Sequence, residues 1–162
     1  MTTPDAALTD AATPLKLIAL DGEDLAIVSA LVQDAITRAS EMRYLNEEDA
    51  FVLVVDRLAR ELRPERHGPL LMRKRWQRRR AMLDLRRVRG VERQGLAQGS
   101  DEPLVLLAAT FEPGPNTEDP SGAIELAFAG GATLRLDVEV VEARLTDLGP
   151  AWKSGATPRH AA

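Results

Sequence analysis

Apolar residues recur along this chain at two different periods, and the changes of period mark out the elements. Leu15–Leu20 (LKLIAL) is short and apolar enough for a strand. Asp21 then stands where a helix cap is needed, with Asp24 three residues on in a capping-box-like position. Leu25, Val28, Leu31 and Val32 follow at helical spacing and predict a helix over about 22–35. From Ile36 the period falls to two. Met42 and Tyr44, the polar turn Asn46–Asp49, and Phe51, Leu53 and Val55 predict a β-hairpin. Residues 59–79 show no sustained period and contain Pro64, Gly68 and Pro69, so they read as a long basic connection.

Leu83, Leu85, Val88 and Val91 suggest the next strand, with a bulge at Arg86-Arg87. Leu104–Phe111 is apolar at successive positions, as in a central strand covered on both faces. Residues 112–122 are turn chemistry throughout. In the last hairpin, a two-residue Gly130-Gly131 turn would oppose Leu126 to Arg135. A three-residue loop, Ala129-Gly130-Gly131, instead opposes Leu126 to Leu134 and Glu125 to Arg135, burying one face and neutralising the other. Finally Asp137 reads as an N-cap, and Val138, Val141, Leu145 and Leu148 form a helical stripe stopped by Gly149-Pro150.

These elements define an α+β domain over residues 15–152, between tails at 1–14 and 153–162 expected to be disordered. The expected architecture is a curved, mainly antiparallel sheet of about six or seven strands. An N-terminal helix (about 22–35) and a C-terminal helix (about 138–148) would flank it, in an arrangement like the pleckstrin-homology fold.

Charge changes this picture more than composition does. Residues 57–93 hold 14 of the 21 basic side chains and only four acids, a net of +10, whereas the remainder carries −14. Eighteen of the 21 basic residues are arginine, the better bidentate partner for carboxylate or phosphate. The absence of cysteine excludes disulfides, thiolate nucleophiles and Cys-ligated metals. His67 and His160 are the only histidines, and no serine lies in a G-x-S-x-G elbow. Gly130-Gly131 belongs to no phosphate-binding loop. No catalytic, cofactor or metal residues are therefore assigned. A metal-dependent hydrolase built from Glu112, Glu118, Asp119 and His67 is the last-ranked reading. The acidic, apolar-poor N-terminus lacks an export signal, which points to the cytoplasm.

The segments LKLIALDGEDLAIVSALVQDA (15–35), MRYL (42–45), RRRAMLDLRRV (78–88) and GAIELAFAGGATLRLDVEVVEARLTDLGPAW (122–152) together resemble the bacterial domain-of-unknown-function 2948 family. The resemblance spans nearly the whole chain between the tails. It implies a stand-alone bacterial protein with no assigned activity and carries over no site residues.

The candidate site is thus the basic segment, centred on Arg73, Lys74, Arg75, Trp76, Arg78, Arg79 and Arg80 and extended to Arg86 and Arg87. With Phe51, Phe111 and Phe128 on core faces, no aromatic platform for stacking bases is available. Pairing of the arginines with the protein's own acids is the bland reading. The functional one is a non-enzymatic accessory protein whose basic surface meets an anionic protein or RNA. A homodimer with interlocking basic and acidic faces is the alternative. Trp152 is expected to pack against the end of the domain.

Overall fold

The computed structural model describes residues 13–62, 65–66 and 74–153; for 65, 66, 74, 75 and 153 it describes the backbone alone. Its described elements are β1 (Lys16–Ala19), α1 (Gly22–Val32), β2 (Ala35–Thr37), β3 (Met42–Leu45), β4 (Ala50–Leu58), β5 (Glu65–Arg66), β6 (Lys74–Arg75), β7 (Gln77–Arg86), β8 (Val88–Gln94), β9 (Leu104–Pro113), β10 (Gly122–Phe128), β11 (Thr133–Val138), β12 (Ala143–Asp147) and β13 (Trp152–Lys153). Eleven of these strands form one antiparallel sheet, while β5 and β6 pair only with each other.

The sheet closes on itself. Pairing runs from β7 through β4, β2, β9, β10 and β11 to β8, and β8 continues β7 across a kink at Arg87, whose φ is 60°. Residues 77–94 and 133–147 make one long bent ladder, bridged at the bend by Arg86 N to Glu142 O (2.8 Å) and Glu139 N to Arg87 O (3.0 Å). The result is a small barrel whose interior holds Phe51, Leu53, Val55, Leu83, Leu85, Leu106, Ile124, Leu126, Leu134, Leu136 and Leu145. Its thinnest seam lies between β2 and β4, which share a single register pair, Ile36 with Asp56. The Thr37 hydroxyl reinforces that seam by donating to Val54 O at 2.7 Å.

The helix forms as its cap predicts: Asp24 N donates to the Asp21 carboxylate at 2.8 Å. It ends at Val32, before the predicted 35, because Asp34 takes a left-handed φ of 67° and turns the chain into β2. Leu25, Val28 and Val32 face the core. The helix also lies along the part of β9 that β2 leaves uncovered, where Ala109 N donates to the Ser29 hydroxyl at 2.9 Å. No helix among the described residues is long and apolar enough to cross a membrane.

Several expectations need correction. Residues 138–148 do not form a helix, and the two-helix α+β arrangement with a six- or seven-stranded sheet does not hold. The protein is mostly antiparallel sheet, with α1 the one α-helix among the described residues. Val138, Val141 and Leu145 are buried as the stripe requires. However, Ala143, Leu145 and Asp147 point inward at period two, and Leu148, the last residue of the stripe, is exposed. The pleckstrin-homology comparison loses its C-terminal helix with that segment. β9 is central in the sheet but open on one side, where Leu107 is 42% exposed. The basic connection is also shorter than expected, because β7 begins at Gln77.

The predicted register of the last hairpin is the one observed, with Leu126 opposite Leu134 and Glu125 opposite Arg135. Gly130 and Gly131 both adopt positive φ in its loop, which glycine does without strain. The hairpin of Met42–Leu45 with β4 is present too, and Asp49 turns its corner at φ 51°.

Candidate functional site

The basic segment divides by strand parity. Along β7, residues 79, 81, 83 and 85 face the barrel interior and Arg80, Met82, Asp84 and Arg86 face outward. Three consecutive arginines therefore meet three environments.

Arg79 points inward, directly opposite Arg57 on β4. Both are almost completely buried. Two parallel guanidinium groups in a core would be untenable without an anion, and Asp147 on β12 supplies it. Arg57 Nε and Nη2 donate side-on to Asp147 Oδ1 and Oδ2 at 2.9 and 2.8 Å. Arg79 Nη1 adds a bond to Oδ2 at 3.1 Å, and Leu15 N donates to the same oxygen at 2.7 Å. The other edge of Arg57 holds Glu61 end-on, at 3.0 and 2.7 Å. Arg79 also donates to Thr13 O at 2.7 Å. Two cations and two anions thus balance within one cluster, which joins the segment before β1 to β4, β7 and β12.

Burial pushes the Asp147 carboxyl up. Hydrogen bonds from Arg57, Leu15 N and Arg79, with the Arg57 charge, outweigh burial and hold it below the usual carboxylate range. Glu61 follows the same pattern, with burial opposed mainly by the hydrogen bonds from Arg57. Burial works against the Arg57 cation, and its two carboxylates more than offset that, so its pKa is raised.

Arg78 lies half-buried and donates to Asp56 O at 2.8 Å. Burial lowers its pKa, with Asp56 and Asp34 acting in opposition. Arg80 faces outward and pairs with Glu41 and Asp56. Arg86 pairs with Asp84 at 3.1 Å. Arg87 pairs with Glu139 and Glu142 at 3.5 and 3.4 Å, and Arg89 with Glu139 at 2.5 Å. Trp76 is partly buried before β7, and Trp152 is likewise partly buried, its backbone paired with Arg78. Arg73 and His67 lie outside the described residues, and Lys74 and Arg75 are placed only as the backbone of β6.

The segment is therefore not one continuous cationic patch. Arg57, Glu61, Asp147 and Arg89 were not singled out from sequence. For Asp147 a signal existed: it completes the alternation Ala143-x-Leu145-x-Asp147.

Elsewhere, Arg135 pairs with Glu112 at 2.9 Å rather than with its cross-strand neighbour Glu125. Arg89, Arg135, Glu112 and Asp137 line an open depression of about 550 Å³ beside Gly114 and Gly122. Asp119 accepts from Ser121 N, and Asn116 from Glu118 N. No group of three or more acids or histidines that could hold a metal occurs among the described residues.

Fold and site together define a small helix-capped antiparallel barrel with a buried arginine–carboxylate cluster and an arginine-bearing outer ridge. Over residues 15–160 the chain matches, and belongs to, the family described as Protein of unknown function (DUF2948). No curated protein and no solved structure matches it.

Proposed function

We propose that this is a bacterial, cytoplasmic, non-enzymatic binding protein that meets an acidic protein partner along the ridge formed by the β7–β8 bend. The observation that carries this reading is the exposure of Arg87 and Arg89, at 56% and 66% of their side chains, where they share Glu139 and Arg87 also reaches Glu142. Exposed ion pairs are worth about 0–1 kcal/mol, so a partner's carboxylates can take their place at little cost. The left-handed backbone at Arg87 supports the reading, since an arginine there is strained where glycine would not be. An acidic protein is favoured over a nucleic acid because Phe51 and Phe128 are buried in the core and offer no platform for stacking bases.

Capture from a low-salt lysate of the native bacterium, with and without nuclease, tests it. An acidic protein should be retained in both, elute with salt, and be lost with Arg87→Ser/Arg89→Ser at unchanged melting temperature. Retention of nucleic acid alone would indicate RNA instead, and the absence of any salt-sensitive partner would overturn the reading. Replacing Arg78, Arg79 and Arg80 together would not separate binding from folding, since Arg79 is in the core.

A further inference from the structure

The outward face of β3, β4 and β7 carries a polar group that its own chain does not satisfy. Asp84 lies on that face, not in the barrel core, yet it is more than nine-tenths buried. Its Oδ2 accepts from Arg86, while its Oδ1 is buried with no hydrogen-bond partner. A buried carboxylate oxygen left in this way costs about 1–3 kcal/mol, more when charged. In the same cross-strand row, Arg43 on β3 is opposite Val52 on β4, and Val52 is opposite Asp84 on β7. Arg43 is exposed and forms no ion pair among the described residues. One row thus holds an unsatisfied acceptor and an uncommitted donor, one on each side of β4.

We infer that this face binds a second copy of the chain, about a two-fold axis running along β4. Adjacent strands stand ~4.8 Å apart, so Arg43 and Asp84 flank that axis at similar distances on opposite sides. Rotation about it sets each Arg43 over the other copy's Asp84, so each carboxylate gains a second cation beside Arg86. The same rotation stacks Val52 and Val54 on their own copies, with Met82 beside them; all three are partly exposed in the single chain. An isologous contact requires one surface to be complementary to itself, and a donor and acceptor placed symmetrically about an apolar line meet that requirement. This inference is independent of the Arg87–Arg89 ridge.

The face is a few strands wide, and interfaces below ~1,200 Å² in total are weak, so sedimentation should extend from ~5 µM to ~500 µM. Wild type should show a monomer–dimer equilibrium in that range. Arg43→Asp, an exposed change, sets a second carboxylate over Asp84 and should weaken dimerisation about tenfold or more. The swap Arg43→Asp/Asp84→Lys should restore it, with far-UV circular dichroism as the control for folding. If the swap does not fold, Val54→Lys, at the stacked centre, should abolish the dimer with an unchanged spectrum. A monomer throughout, whatever else co-purifies, overturns the inference. So does a dimer that withstands both Arg43→Asp and Val54→Lys.

Discussion

Arg79 and Arg80 are adjacent in sequence and opposed in consequence. Arg79 enters the barrel, where it shares with Arg57 a carboxylate that arrives from 68 residues further along the chain. Arg80 leaves the barrel on the other face, where Glu41 and Asp56 share it with water. Chemistry and neighbouring sequence are nearly identical; only strand parity differs. A buried charge whose partner is removed is strongly destabilising, whereas an exposed pair contributes little. Arginine count is therefore a poor guide to a binding surface, since part of this basic segment is interior structure.

The contrast can be broken most forcefully at Asp147. Asp147→Ala leaves buried Arg79 without its carboxylate and Arg57 with Glu61 alone, and should cost roughly 3–5 kcal/mol, a fall in melting temperature of about 10 °C or more. A loss under about 1 kcal/mol in urea titration would mean that the cluster is not the staple described.

Acid is the next largest perturbation. Asp147 and Glu61 both titrate below the usual carboxylate range in the folded state. They bind protons more readily when unfolded, so their stabilisation is complete above their unfolded values and disappears as pH falls through their folded ones. Stability should be flat with pH above about 5 and drop progressively below about 4. Glu61→Gln should reduce that acid slope and cost about 1–2 kcal/mol by itself, since it holds only the outer edge of Arg57.

On the outward side the expected effects are small. Arg87→Gly removes two exposed pairs but also the left-handed strain at φ 60°. Stability should be unchanged, or raised by less than about 1 kcal/mol. Arg80→Ser should shift stability by less than about 0.5 kcal/mol in either direction, measured by thermal melting. A larger loss there would erase the distinction between the two faces.

Local signals were legible where one short stretch contained both sides of a decision. Leu126, Leu134, Glu125 and Arg135 surround a Gly-Gly loop, so alternation and turn chemistry together select one register, and that register forms. Asp21 and Asp24 likewise set the helix start. The C-terminal segment failed as a helix because Val138, Val141, Leu145 and Leu148 fit period 3.6 while Ala143, Leu145 and Asp147 fit period two. Placing an aspartate inward looks unfavourable until Arg57 and Arg79 are known to wait there. In the same way, the alternation of Arg78, Arg79 and Arg80 showed no apolar residue to mark an inner face.

The family, the helix start, the antiparallel hairpins and the concentration of arginine at 57–93 could all be read from the order of residues. Tertiary structure alone decided which of those arginines are interior, that residues 143–147 form a strand, and that Asp84 faces outward with an oxygen unmatched. The physical reason is range. Hairpin register and helix caps follow from side chains within a few residues of one another, whereas the free energy of a buried charge is set by partners that only the closed barrel brings within 3 Å.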